Sequence, residues 1–308
     1  MGSGAAAQES ITTPTTQFYS WRQYRCAYEV HQPLTGNTDK TPLVLIHPIG
    51  VGLSRRFWDP FCNAWLQLGQ ENQIYNPDLL GCGASDMPSM PYKSEDWAEQ
   101  LLEFIQSVIQ RPVILVVQGA LLPAAIVLTQ IAPSGLIRGL VLSGPPAWKI
   151  MTEATPNWRH QLNWQLFSSP LGQGFYRYAR RREFLRSFSE RQLFADPKDI
   201  DQQWLDMLKA GSENPASRHA VFSFLAGFWR RDWQAAIEHL TVPTLVVIGN
   251  TASSISQSGK SETPEQRLQD YLKHLPQGQG RQISGRNVLP YESTMAFVEA
   301  IVPFVREQ

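Results

Sequence analysis

Short apolar runs rich in β-branched residues alternate along this chain with longer segments of helical pattern. The runs lie at residues 41–46, 111–117, 140–143 and 242–248. Continuous apolar runs of this length are typical of strands buried on both faces of a parallel sheet. The segment after the second run, 120–128, is apolar throughout and indicates a buried helix. Strands and helices in alternation predict an α/β fold with a doubly wound, mostly parallel sheet.

The strand pattern falls into two blocks separated by a helical insertion. We assign residues 17–146 and 237–308 to the sheet domain and 147–236 to the insertion. The small, polar residues 1–16 are expected to be disordered. A chain of 308 residues is long enough to bury one large core with such an insertion.

Composition excludes several classes of function. The net charge is zero, so a general nucleic-acid role has no support. The three cysteines show neither metal-ligand spacing nor a disulfide framework, which suits a reducing compartment, and we expect no metal and no cofactor. No apolar run reaches the ~18 residues of a membrane span, and the first residues lack a signal-peptide pattern. We therefore expect a cytoplasmic or plastid-stroma-like protein, with peripheral membrane contact left open.

Several strings occur in the order found in the α/β-hydrolase superfamily. Residues 41–50, TPLVLIHPIG, resemble the strand and loop that supply one oxyanion-hole amide, and 76–88, NPDLLGCGASDMP, resemble the D-x-x-G-x-G-x-S-D-x-P loop. Residues 242–249 and 285–292 look like the strand before the catalytic acid and the catalytic-histidine loop. The resemblance implies an α/β-hydrolase fold of the capped type, with the insertion as a cap over the active-site mouth. Strings such as HPIG and NVLPYE also resemble triad-lacking homologues of cyanobacteria and plastids.

The resemblance also places three catalytic positions, and none holds the expected residue. A strand turning into a helix is the context of the nucleophile elbow, and Gly119 stands at the serine position. Ala252 stands at the acid position and Asn287 at the histidine position. A serine needs an adjacent base, and the base needs an orienting acid. Three substitutions together predict that Ser-His-Asp hydrolysis has been lost.

Polar groups around the elbow remain candidates for binding. The resemblance implies that the backbone N–H groups of Ile49 and Ala120 form an oxyanion-type pair, which would still anchor a carbonyl or carboxylate. His47 is expected to orient the oxyanion loop by hydrogen bonding. Gln118 and Ser253 are further pocket candidates, and one of Ser253, Ser254 and Ser256 is placed to hydrogen-bond Asn287.

The insertion differs from the rest of the chain in composition. It holds half of the aromatic residues and carries a net charge of +4, against −4 for the remainder. Five arginines fall within residues 176–188, which are expected to form one helix. The candidate binding residues here are Arg177, Arg180, Arg181, Trp148 and Trp164. Arginine is the preferred partner of carboxylates and phosphates and also stacks on aromatic rings.

Three interpretations of the cap stay open. The aromatic residues pack the cap on the core and the arginines are solvated; or they form an apolar cavity with a cationic rim for an acidic amphiphile; or they face a protein partner or anionic lipid. We predict a non-hydrolytic protein that binds an apolar or amphiphilic small molecule or a protein partner. The alternative is an active hydrolase or lyase of the same fold that uses non-standard residues, which requires a base about 2.6–3.2 Å from a pocket atom.

Overall fold

The computed structural model describes residues 14–308, and an eight-stranded sheet forms its centre. The strands are β1 Gln17–Trp21, β2 Tyr24–His31, β3 Leu43–Ile46, β4 Ile74–Pro77, β5 Val113–Gln118, β6 Ile137–Ser143, β7 Thr244–Gly249 and β8 Gly278–Ile283. Their order across the sheet is β1-β2-β4-β3-β5-β6-β7-β8. The hairpin β1–β2 pairs antiparallel to β4, and the remaining six strands are parallel. The predicted doubly wound α/β fold is confirmed.

Helices cover both faces of the sheet and form the insertion. They are α1 Asp59–Gln67, α2 Ser94–Phe104, α3 Leu122–Ile131, α4 Trp148–Thr152, α5 Asn157–Ser168, α6 Pro170–Ala179, α7 Arg182–Phe188, α8 Gln202–Gly211, α9 Arg218–Ala226, α10 Gln234–Glu238, α11 Pro264–His274, α12 Leu289–Glu292 and α13 Thr294–Arg306. No helix within residues 14–308 has both the length and the apolarity needed to cross a bilayer.

Alternate residues of each central strand point to opposite faces, which gives the molecule two large apolar clusters. Leu115 and Val117 of β5 join the cluster under α2 and α3, whereas Ile114 and Val116 join the cluster under α1 and α13. All six residues of β5 are buried, so this strand lies at the centre of the core. A feature at its carboxyl end is therefore held on a rigid base.

The insertion is largely a separate helical layer, but its two ends belong to the core. Helices α4 and α10 contact α11 beside the sheet, while α5 packs against α6 and α9, and α7 against α8. The predicted disorder of residues 1–16 falls mostly outside the described residues. Thr16, within the expected disordered segment, donates a hydrogen bond of 2.9 Å to Glu29.

The expected single helix over the arginine run is wrong. Helix α6 ends at Ala179 and α7 begins at Arg182, with Arg181 in an extended conformation between them. The guanidinium of Arg180 donates to the carbonyl oxygens of Ser212 and Glu213, more than 30 residues along the chain. The chain turns between α6 and α7 at the point where these contacts with the end of α8 are made, and the local sequence does not predict this turn.

Candidate functional site

The strand β5 turns into helix α3 through a sharp elbow at Gly119. Its φ is +61°, in the left-handed region, and the turn continues to Leu121 before α3 begins. Pro123 lies in the first turn of α3, where it costs no intrahelical hydrogen bond. A Cβ at position 119 would have only one heavy atom within about 4 Å, the carbonyl oxygen of Gly144 at 4.0 Å. The elbow geometry of the nucleophile position is thus present without a nucleophile.

The two expected oxyanion donors leave the sheet side by side. Strands β3 and β5 are neighbours, and their register pairs Ile46 with Val117. Ile49 and Ala120 each lie three residues beyond that pair. Within residues 14–308, neither backbone N–H has a hydrogen-bond acceptor. Ala120 is part-exposed, whereas Ile49 is buried.

His47 is buried and fully engaged in positioning the loop that carries Ile49. Its Nε2 accepts the N–H of Leu79 at 3.0 Å, and its Nδ1 lies 2.9 Å from the carbonyl oxygen of Pro48. The first contact requires a bare Nε2 and the second a protonated Nδ1, so the ring is neutral. Burial lowers the pKa of His47, and the nearby Asp78 opposes that shift. Both ring nitrogens are engaged with the loops, and neither is free for proton abstraction.

A buried ion-pair network holds the same loops from behind. The Arg55 guanidinium pairs with Asp78 and, at 3.0 Å, with Glu29, and all three side chains are almost fully buried. Asp78 also accepts the N–H groups of Arg55 and Ala84, which ties the loop after β3 to the loop after β4. These contacts hold the pKa of Glu29 below its usual range despite its burial.

The acid and base positions lie next to each other. Of the two side chains, only that of Asn287 makes hydrogen bonds, and these link two segments of the protein. Ala252 is buried and apolar. The amide nitrogen of Asn287 donates to the carbonyl oxygens of Gln192, at 2.7 Å, and Ser253, at 2.9 Å. The backbone N–H of Asn287 donates to Leu193 at 3.0 Å. Asn287 therefore fastens the segment after α7 in the cap to the loop after β7.

Ser253 contacts Asn287 through its backbone, while its hydroxyl has another partner. Its backbone N–H lies 3.4 Å from the Asn287 amide oxygen, and its Oγ accepts from Arg286 at 2.8 and 3.0 Å. Glu292 accepts the N–H groups of Arg286 and Ala195, which adds a second tie to the cap. Burial raises the pKa of Glu292. The sequence reasoning missed Arg286 and Glu292, although both lie in the histidine-loop string.

Gln118 reaches across to the base position and leaves one polar atom without a partner. Its Nε2 donates to the carbonyl oxygen of Asn287 at 2.7 Å. Its Oε1, and the Oγ of Ser143 beside it at the end of β6, are buried and have no hydrogen-bond partner within residues 14–308. Ser143 was not a sequence candidate, because a serine at a strand end carries no local signal. An unsatisfied buried polar atom typically costs about 1–3 kcal/mol.

The cap lies tightly against the oxyanion loop. A Cβ on Gly52 would come within 1.8 Å of the Leu208 carbonyl oxygen, and one on Gly211 within 2.2 Å of the Gly52 oxygen. Only glycine allows this backbone approach. Val51 of the same loop packs against Tyr176 and Phe222 of the cap. The loop after β3 is therefore covered by apolar cap side chains.

The cap candidates separate into two groups. Arg177 and Arg180 line a cleft of about 290 Å³ together with Gln173, Tyr176, Pro215 and Arg218. Arg218 was missed because it comes from α9, far along the chain. Arg181 faces away from this cleft, with its guanidinium 5.7 Å from the Tyr178 ring centre.

The two tryptophan candidates have packing roles instead. Trp148 stacks on His274 at 4.5 Å and meets Tyr271 edge-on, so it lies against the core beside α11. Trp164 packs inside the cap against His219 and Phe228. Neither ring is among the residues that line the arginine cleft.

Comparison with known proteins gives one consistent result. The model of the alpha/beta hydrolase family matches residues 43–300. Similar solved structures include a serine hydrolase involved in carbazole degradation (TM-score 0.74, 18% identity), for which the alignment covers 96% of this chain and 100% of the other. They also include an esterase from Thermogutta terrifontis, with TM-score 0.70, 17% identity and coverage of 96% and 99%. The enol-lactonase from Burkholderia xenovorans gives TM-score 0.67, 15% identity and coverage of 94% and 100%. No curated protein sequence matches the chain.

Proposed function

Because the chain belongs to the alpha/beta hydrolase family, we propose that it is a non-hydrolytic member that binds an apolar or amphiphilic small molecule at the elbow. The observation that carries this proposal is the joint occupation of the three catalytic positions by Gly119, Ala252 and Asn287. A glycine supplies no nucleophile, an alanine no carboxylate and an amide no base.

The surrounding polar groups support binding more than catalysis. Both ring nitrogens of His47 are used, which removes the titratable group closest in sequence to the oxyanion loop as a candidate base. Asn287 and Ser253 are held in ties between the cap and the core. The rival interpretation, an active enzyme with non-standard residues, needs a base with a free nitrogen or oxygen beside the elbow.

The same site offers a polar anchor in an apolar setting. The N–H groups of Ile49 and Ala120 are free to donate, and the orphaned Ser143 hydroxyl can donate or accept. Cap residues Tyr176 and Phe222 pack beside the loop that carries Ile49. A molecule with an apolar body and a carbonyl or carboxylate head matches both features. We therefore expect an acidic or carbonyl-bearing amphiphile rather than a sugar or a nucleotide.

The first test is of catalytic silence. The purified protein should hydrolyse p-nitrophenyl esters no faster than a heat-treated control, and a fluorophosphonate that reacts with activated serines should not label it. Stoichiometric labelling at any serine, or turnover above the control, would overturn the loss of hydrolysis.

The second test is of binding, with a fluorescent long-chain fatty acid as the probe and native mass spectrometry to detect any co-purifying molecule. Ser143→Ala should weaken the probe without lowering the melting temperature, because its buried hydroxyl stabilises nothing in the free protein. Ser107→Ala, at an exposed serine in the helical turn that follows α2, should leave affinity unchanged. Equal affinity of wild type and Ser143→Ala would remove the elbow as the binding site.

A further inference from the structure

Two consecutive cap helices carry a row of exposed apolar side chains. Helices α5 and α6 are joined by the single residue Ser169. The exposed residues recur at helical spacing along each helix, so they form one stripe on α5 and one on α6. They are Trp158, Leu162 and Leu166 on α5, and Leu171, Phe175 and Tyr178 on α6. We call these six residues the cap stripe.

The cap stripe is not the packing face of these helices. Trp158 is 62% exposed and Leu171 is 75% exposed. The faces that pack against the protein are different ones, marked by the buried His160 on α5 and by the buried Tyr176 and Ala179 on α6. Single exposed apolar residues need no explanation, but six on one helical hairpin indicate a surface that is covered by something else.

The charged side chains in the chain segment that carries the cap stripe are all positive. No Asp or Glu occurs between Glu153 and Glu183, and this stretch holds five arginines. The Arg159 guanidinium lies 5.4 Å from the Trp158 ring centre, and Arg181 stands beside Tyr178 in the same way. Within residues 14–308, neither arginine has a carboxylate partner. The apolar stripe thus carries unpaired cations directly on its aromatic members.

The arginine cleft lies on the other exposed flank of α6. With 3.6 residues per turn, Gln173, Arg177 and Arg180 form a row opposite the apolar one, and Gly174 lies in open space between the two rows. Arg218 of α9 completes the cleft. Arginines favour phosphate because their planar donors can bind two oxygens at once.

We propose that helices α5 and α6 dock onto an anionic lipid bilayer. The cap stripe enters the boundary between headgroups and acyl chains, and the arginine cleft on the opposite flank of α6 lies at the level of the headgroups, where it binds a phosphate. Tryptophan and tyrosine concentrate at membrane interfaces, and leucine provides the buried apolar area. One apolar or one electrostatic signal alone gives only reversible binding, whereas these two helices combine both. A protein partner could use the same side chains, but the absence of any acid across the stripe and the cleft favours a uniformly anionic surface.

Vesicle co-sedimentation of the full chain tests the proposal. Wild type should sediment with vesicles of phosphatidylcholine and phosphatidylglycerol, and much less with phosphatidylcholine alone. Added salt should weaken the binding, because screening reduces attraction between exposed charges. Arg177→Ala with Arg180→Ala should lower the partition coefficient at least about tenfold, since each basic residue near such a surface contributes a factor of roughly five.

The apolar half is tested by Leu162→Glu with Leu171→Glu, which should abolish sedimentation. The control is Ile255→Glu with Arg281→Ala, at an apolar and a basic position that are both exposed but lie outside the cap. The control should bind like wild type, and circular dichroism should show that all variants are folded.

Three results would overturn the docking proposal. The first is no sedimentation of wild type, and the second is equal loss in the control and the cap variants. The third is self-association that Leu171→Glu abolishes, together with sedimentation that is the same with and without vesicles. That result would make the cap stripe an interface between copies of the chain. If millimolar inorganic phosphate releases the protein from the vesicles as effectively as added lipid does, the cleft is a site for free phosphate and not for a lipid headgroup.

Discussion

Replacing Gly119 by serine separates the backbone requirement of the elbow from its chemistry. The φ of +61° suits glycine, and a side chain there costs about 1–3 kcal/mol of conformational strain. Steric overlap adds little, because the nearest heavy atom to an added Cβ is the Gly144 oxygen at 4.0 Å. The whole destabilisation therefore comes from the backbone, and the melting temperature should fall by roughly 2–10 °C.

Thermal and urea denaturation measure the effect, and two other glycines provide controls. Gly135 has φ +79° with nothing within 4 Å of an added Cβ, so Gly135→Ser should cost a similar amount. Gly174 also has open space but no positive φ, so Gly174→Ala in α6 should stabilise by about 0.5–1 kcal/mol. Unchanged stability of Gly119→Ser, with Gly135→Ser destabilised, would refute the argument from strain.

The same variant tests the chemistry. The new hydroxyl would face an Asn287 amide that is already tied to two carbonyl oxygens and an Ala252 without a carboxylate. Gly119→Ser should therefore hydrolyse p-nitrophenyl esters no faster than wild type. Turnover by this single variant would mean that a base is present at the elbow.

Two further substitutions test what holds the site together. Arg55→Ala should destabilise the protein by about 3–5 kcal/mol, because it leaves the buried Asp78 carboxylate without its charged partner and removes one of the two arginines that pair with Glu29. Arg56→Ala, whose side chain is 42% exposed, leaves the Arg55 pairs in place and should cost less than about 1 kcal/mol. Equal losses in urea denaturation would contradict this. Asn287→Ala removes the side-chain hydrogen bonds between the cap and the core, so the free energy of unfolding should fall by about 1–3 kcal/mol. Limited proteolysis should also cut faster in the segment after α7. Cleavage at the wild-type rate would show that these hydrogen bonds are dispensable.

Much of the fold could be predicted from the sequence, because a parallel strand buried on both faces is recognisable from its own continuous run of apolar residues. The apolar runs marked β3, β5, β6 and β7, and the glycine at the end of β5 matched the position that needs a positive φ. The residues at the three positions that the family resemblance marks as catalytic, Gly119, Ala252 and Asn287, were readable for the same reason: each is the identity of one residue in one motif.

Only the tertiary structure decided how the polar residues are used. The engagement of both His47 nitrogens and the orphaned hydroxyl of Ser143 depend on neighbours from other strands and loops. The break between α6 and α7 lies where the Arg180 guanidinium donates to a carbonyl oxygen at the end of α8. Arg218 of α9 forms part of the cleft. Side-chain pattern along a chain records whether a residue is buried, but the partner of a polar group comes from distant segments, so the ties, the cleft and the exposed cap stripe appear only once the chain is folded.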